Sequence, residues 1–348
     1  MKTLKVVLLS FVLMGLSSHT LYASMGPYIY SEYKPYKNPF DFNLFTSNFN
    51  LNLQQINPAF TGLNHRFQFS ALSFYNRIND LSPNTMTDRV NQNNIYYGKT
   101  ENRINGMVMQ YNLSKGIIVN EKIDMGIGLS YTRNLIDAET DWNSFNLNAS
   151  IHYKVKKGTW MLGLGLLSKT MSSEKFRIED TWLEDTTFSK ENNTKLNTNL
   201  GVVYECLNKN TKIGFSLFNL ANQKFQLSHY RGDQTFSKIT RQARSFVLNF
   251  DKKIRINNHS NINSQALLVH SKYEILNCFL RTEFQYKRVG LGVFYNEGYN
   301  SMNSLGPLLS YESKTGLKVQ YCFRLTYSEF VYLNSDFHEL GLAYTIKN

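Results

Sequence analysis

The chain has 348 residues, a formal net charge of +12, 42% hydrophobic residues and only 3 cysteines. That length accommodates two ordinary soluble domains or one large β-barrel. The odd, widely spaced Cys206, Cys278 and Cys322 exclude a disulfide framework and match no metal-ligand spacing.

Residues 1–23 open with Lys2 and Lys5, continue as VVLLSFVLMGL and end in SSHTLYAS. A positive start, a short apolar run and small residues are the order of a secretory signal, with cleavage expected near Ala23. Downstream, no run of about 18 apolar residues remains to form a membrane helix. An exported basic chain whose cations are scattered, as in Lys156-Lys157 and Lys252-Lys253, meets anionic envelope polymers or lipid head groups, and no nucleic-acid partner is expected. Residues 24–55, rich in Tyr, Asn and Phe, read as an irregular N-terminal segment, and 56–348 as the barrel.

The stretch LQQINPAFTGLNHRFQFSAL, residues 53–72, changes character halfway. Pro58 has no N–H to donate, biases Asn57 toward extended backbone, and is followed by Gly62, which permits a tight bend. This predicts a structural turn just before a first strand at 66–75.

From there the chain alternates. In KIDMGIGLSYT, Ile123, Met125, Ile127, Leu129 and Tyr131 share one parity, opposite Gly126 and Gly128; TWMLGLGLL and RVGLGVFY repeat the pattern. Period two is the signature of strands, and abundant Tyr and Phe with only 6 Pro favour them. Strands are predicted near 66–75, 103–112, 123–133, 143–153, 160–168, 195–205 and 212–219. Seven more follow near 244–251, 264–271, 278–286, 288–295, 304–311, 316–326 and 338–346. Segments 76–102 and 169–194 read as long polar connections.

Alternation shows two faces without saying which meets water. A soluble sandwich buries the apolar face, whereas a membrane barrel turns it toward lipid. Small or neutral residues on the other face, strand-end aromatics (Tyr131, Trp160, Tyr204, Tyr286, Tyr295, Tyr344) suited to interfacial girdles, and fourteen strands after a signal favour the barrel. The fold class is therefore all-β: a transmembrane antiparallel barrel of fourteen strands.

Candidate chemistry is sparse. Arg281 and Glu283 in FLRTEFQY, and Lys318 and Arg324 in GLKVQYCFRLTY, have the lumen-side parity and fit an interior ion-pair network or a lining of a polar path. The seven histidines do not cluster, and no nucleophile elbow, phosphate loop or metal-helix spacing occurs. Neither an enzyme nor a bound cofactor or metal is expected.

Two blocks carry a family resemblance. INPAFTG at 56–62 precedes the first alternating strand, and the C-terminal block runs from GLKVQY through LTYSEF to HELGLAY. Together they resemble the PorP/SprF family of outer-membrane proteins of type IX secretion and gliding. Asn57, Pro58, Ala59 and Gly62 match the first motif; Tyr327, Ser328, His338 and Glu339 match the second. FQYKRVGLGVFYNEG is similar to the family's penultimate region, whereas YNRINDL stands where the family carries a tryptophan-containing stretch. The resemblance implies a barrel in the outer membrane of a Gram-negative bacterium, without catalytic residues. It also implies outer-membrane lipid, a secreted surface protein or adhesin, and periplasmic secretion and gliding components as partners. His338 and Glu339 read either as a functional contact or as a cap at the entry into the last strand, and the cap is the favoured expectation. A porin or hydrophobic-solute transporter is the alternative.

Overall fold

The computed structural model describes residues 48–63, 67–79, 105–134, 140–173, 177–178, 186–188, 191–231, 234–241, 244–271, 276–298, 303–327 and 334–346. The expected signal segment and most of the expected N-terminal segment lie outside the described residues.

Period-two alternation becomes a closed antiparallel barrel. Its strands are β1 (Phe67–Asn79), β2 (Asn105–Ile118), β3 (Ile123–Asn134), β4 (Thr140–Val155), β5 (Gly158–Ser173), β8 (Glu191–Cys206) and β9 (Thr211–Phe218). The circuit continues through β12 (Ser245–Arg255), β13 (Ser260–Ser271), β14 (Asn277–Tyr286), β15 (Val289–Gly298), β16 (Asn303–Glu312), β17 (Leu317–Tyr327) and β18 (Asn334–Thr345). All fourteen predicted strands are present. Closure pairs β1 with β18, from Gln68 opposite Thr345 to Asn79 opposite Asn334, so neither sheet edge is left open.

Four strands between the barrel strands form a separate sheet in the order β11-β10-β7-β6. They are β6 (Arg177–Ile178), β7 (Thr186–Phe188), β10 (Lys224–Arg231) and β11 (Gln234–Arg241). The sequence pattern missed them. β6 and β7 are too short to show a period, and in KFQLSHYR and QTFSKITR charged and polar residues dilute it. The expected connection at 169–194 is also corrected, since β5 runs to Ser173 and β8 begins at Glu191.

One rim is closed by the short turns 119–122, 156–157, 207–210, 256–259, 287–288 and 313–316, while the connections at the other rim include 80–104, 174–190 and 219–244. In an outer-membrane barrel the short turns face the periplasm and the long connections face the exterior. Left-handed backbone at Asn210, φ 46°, and Lys287, φ 52°, makes two of the short reversals.

The outward face is apolar and exposed, with Ile127, Leu129, Leu147, Ile151, Leu162, Leu164, Leu291, Val293, Leu309 and Leu342 among its residues. At the short-turn rim Tyr153, Trp160 and Tyr204 follow one another across β4, β5 and β8. The Trp160 and Tyr204 rings lie 4.7 Å apart. This is an aromatic girdle.

The inward face divides. Around β2, β3, β4, β5 and β8 it carries glycine, serine and amides, including the buried Asn112, Asn148, Ser150 and Asn199. Around β12 to β17 it carries Val247, Leu267, Val269, Phe279, Phe294, Leu308 and Cys322, packed as a buried core with Phe49 and Ile56. The many small or neutral residues expected on the lumen face are thus joined on this side by large apolar ones. An apolar lumen face exists because a second apolar surface from the same chain covers it.

The lipid-facing assignment of Leu164, midway along β5, has a measurable consequence. Leu164→Arg is expected to cost about 2–4 kcal/mol in denaturant unfolding from lipid vesicles, as for a cation near the bilayer midplane. A cost near zero would contradict the assignment.

Candidate functional site

Residues 48–63 do not form a bend outside the barrel; they lie inside it. Three short helical turns, Phe49–Leu51, Leu53–Ile56 and Pro58–Phe60, carry the segment across the lumen. The predicted role of INPAFTG as only a turn ahead of the first strand is thereby corrected, and the expected boundary at 55/56 falls within this plug. The first strand starts at Phe67. Pro58 takes the first helical position, where its missing N–H leaves no unmet donor.

A non-regular segment inside a barrel must find a partner for each buried peptide group. The helical turns satisfy part of this requirement internally, through bonds such as Asn57 N to Leu53 O, 3.0 Å, and Thr61 N to Pro58 O, 3.2 Å. Strand side chains satisfy much of the remainder. Ser216 Oγ donates to Ile56 O, 2.7 Å, and Ser150 Oγ to Thr61 O, 2.7 Å. His152 Nε2 lies 3.1 Å from Ala59 O; because a carbonyl only accepts, this nitrogen carries the proton.

Asn57 is the central connector. Its Oδ1 accepts from Ala59 N at 3.0 Å and caps the Pro58–Phe60 turn. Its Nδ2 donates to Val202 O, Phe215 O and Asn249 Oδ1 at 3.2, 3.2 and 3.3 Å, engaging β8, β9 and β12 at once. On the opposite wall Asn52 donates to Gln110 Oε1, 2.8 Å, and accepts from Ser70 and Asn112. Gln54 donates to Leu129 O, 3.2 Å, and Gln55 to Thr132, 3.2 Å.

Glycines on the wall admit the plug. A Cβ on Gly126 would run into Thr61 O, one on Gly163 into the Ala59 amide, and one on Gly201 into Asn57 Oδ1. Gly62 is constrained twice: its φ is +68°, and its own Cβ would meet the Gly126 backbone. The inward glycines predicted from alternation are thus a docking floor.

The four predicted lumen charges sit on the side of the plug's first turn, in two buried groups. Arg281 and Glu283 pair at 2.5 Å, both side chains 1% exposed. Arg281 also donates to Gln265 Oε1, 3.0 Å, and Glu283 accepts from Ser310. With its amide oriented by these neighbours, Gln320 accepts from Arg281 and Lys318, at 2.9 and 3.1 Å, and donates to Asn50 Oδ1 at 2.8 Å. The plug is thereby tied to this network. In the second group Arg324 pairs with Glu339 at 2.7 Å and stacks over Phe294 and Phe337, 5.2 and 5.0 Å from the ring centres. Asn48 N donates to Glu339 Oε2, 3.3 Å.

The expected capping role of His338 and Glu339 does not hold. Both lie within β18, which begins at Asn334. Glu339 faces the lumen and holds the plug's start. His338 is on the outer face, its Nδ1 2.8 Å from Tyr321 Oη. Tyr327 ends β17, and Ser328 lies outside the described residues. Sequence reasoning missed Asn48, Asn50, Asn52, Gln54 and Gln55, and their wall partners Gln110, Asn112, Ser150, His152, Ser216 and Asn249. The usable signal was the amide-rich run NFNLNLQQIN, too polar for a core helix and too apolar for a solvated loop.

Residues 43–344 match the family model described as "Type IX secretion system membrane protein PorP/SprF". No curated protein matches the chain. Among solved structures, a FadL homologue of Pseudomonas aeruginosa is similar at 12% identity and TM-score 0.50, covering 83% of this chain and 91% of that one. The TodX deltaS2S3 mutant monoaromatic hydrocarbon channel is similar at 9% identity and TM-score 0.53, covering 87% and 95%. The CymD monoaromatic hydrocarbon channel is similar at 12% identity and TM-score 0.52, covering 85% and 92%. At these identities the likeness is one of fold.

Removing one partner of a buried ion pair leaves the other charge uncompensated. Glu283→Ala is expected to cost about 3–5 kcal/mol in unfolding, and Arg281→Met with Glu283→Leu to recover most of it; an equally unstable double variant would contradict the pairing. Gly163→Val suits a strand but occupies the place of the Ala59 amide. It is expected to fold and to conduct ions in planar bilayers, whereas Leu162→Val on the lipid face stays silent. A silent Gly163→Val barrel would show that plug docking does not close the lumen.

Proposed function

The chain belongs to the PorP/SprF family of type IX secretion system membrane proteins and is an outer-membrane β-barrel, and from that premise we propose that it is a non-catalytic barrel supporting secretion or surface attachment of a partner protein such as an adhesin. The observation that carries this is the occupied lumen. Residues 48–63 bond to β8, β9 and β12 on one side and to β1, β2 and β3 on the other, so the chain's own segment occupies the space a passive pore would use. A barrel braced across its interior is a rigid platform for other components, exported at one rim and periplasmic at the other. The non-catalytic role is supported by a Ser–His contact among the described residues: Ser150 and His152, 2.9 Å apart, are engaged with the carbonyls of Thr61 and Ala59.

A hydrophobic-solute transporter is the second reading, favoured by the apolar lumenal cluster around Phe279 and Phe294 and by the hydrocarbon channels that share the fold. Purified protein in liposomes separates the two. Uptake of a monoaromatic hydrocarbon above that of empty liposomes supports transport, and its absence supports the platform.

Deletion of the gene is expected to abolish surface display of the exported partner, read as protease-accessible protein on intact cells, and complementation to restore it. Unchanged display of every exported surface protein in the deletion strain would overturn the proposal.

A further inference from the structure

We propose that the short-turn rim is a cationic collar that binds the head groups of anionic phospholipids around the whole circumference of the barrel. The six turns of this rim carry Lys156-Lys157 in one, Lys287-Arg288 in another, and Lys122, Lys209 and Lys314 in three more; Glu121 is the one carboxylate side chain in any of them. Exposed Arg255 stands at the edge of the sixth and donates to Asn257 O and Asn258 Oδ1. The carboxylates near the strand ends turn the other way. Asp124, Glu205, Asp251 and Glu312 stand opposite His152, Lys212, Gln265 and Lys318 in the ladders and face the lumen. There Asp124 pairs with Lys154 at 2.8 Å and Glu205 with Lys212 at 3.4 Å. Carboxylates are thus gathered inside the mouth, while the turns themselves are left strongly positive.

Position selects lipid as the occupant. The girdle aromatics Tyr153 and Trp160 flank Lys156-Lys157 in sequence, and Lys287 Nζ lies 5.4 Å from the centre of the Tyr286 ring. Such aromatics mark the head-group level, so the neighbouring cations lie within reach of the phosphates. Lys115 is exposed on the lipid-facing side itself, between Phe67 and Ile127 in the ladders, where its stem can lie along apolar surface and its ammonium reach a phosphate. Val119, Leu207 and Ile256, in three of the turns, are 53%, 55% and 49% exposed. In water they would be uncovered apolar groups, whereas the boundary of head groups and acyl chains covers them. A protein partner meets one arc of a rim, but lipid surrounds the barrel on every side, as the cations do. Because the short turns face the periplasm, the phosphates belong to the periplasmic leaflet.

The test reads the lipid beside the collar. In the full-length protein Trp142→Phe with Trp182→Phe leaves Trp160 as the one tryptophan, next to Lys156-Lys157. In phosphatidylcholine bilayers, its quenching by a minor fraction of phosphatidylglycerol brominated near the head group is compared with quenching by equally brominated phosphatidylcholine. Phosphatidylglycerol is expected at Trp160 at about five times its share of the bilayer, the fold-change of one interfacial cation, with the excess falling as salt rises. Lys156→Gln with Lys157→Gln should abolish the excess and Lys156→Arg with Lys157→Arg should keep it, both with unchanged heat-modifiable gel mobility. A second reporter, Tyr286→Trp on a tryptophan-free background, should respond in the same way to Lys287→Gln with Arg288→Gln. Equal quenching by the two lipids, an excess at one reporter only, or an excess that survives neutralisation would overturn the collar. So would its loss to inorganic phosphate at constant ionic strength, which identifies a free-anion site. If the neutralised turns keep their lipid but release a periplasmic protein from native membranes, the rim is a protein-docking face and the collar fails.

Discussion

The structure depends on one constraint: a non-regular segment enclosed in a barrel must be supplied with hydrogen-bond partners by the wall. Asn57 meets it most economically, capping its own turn and reaching β8, β9 and β12. Its side chain also explains features that look unrelated in sequence. Gly201 has no Cβ because Asn57 Oδ1 is there, and Asn249 faces inward because it accepts from Asn57 Nδ2. Each buried hydrogen bond contributes about 1 kcal/mol net, whereas an orphaned buried group costs about 1–3 kcal/mol. The amides therefore matter more for which path the segment takes than for the overall stability of the barrel.

The two halves of the wall hold the plug by different physics. Around β2 to β8 it is held by direction-dependent hydrogen bonds over glycine floors, which fix position. Around β12 to β17 it is held by burial of Phe49 and Ile56 among apolar side chains, which is less directional, with the Arg281–Glu283 and Arg324–Glu339 pairs beside it. The ion pairs are consistent with register markers: Gln320 links the first to Asn50, and Glu339 links the second to Asn48. Together they tie the plug's first turn to β17 and β18, whereas INPAFTG itself docks against β3, β4, β5, β8, β9 and β12.

Much of this was legible. Fourteen strands, the inward parity of Arg281, Glu283, Lys318 and Arg324, and the meeting of first and last strands followed from alternation and closure. The cross-lumen partners did not, because a period-two pattern records which face a residue occupies and not what stands opposite. Glu339 illustrates this: its motif position was visible, but its role was mistaken for a strand cap because the residues at 334–337 preceding it read as loop.

The amino-acid sequence by itself determined the fourteen barrel strands and their apolar outward face, since these depend on the local order of apolar and polar residues. Only the tertiary structure decided that INPAFTG is a plug and that the inward glycines are its floor. Those roles exist only once the barrel closes and brings Gly126, Gly163 and Gly201 around residues 57–62. They depend on distances across the lumen, and no pattern along the chain encodes a distance between residues that closure alone makes neighbours.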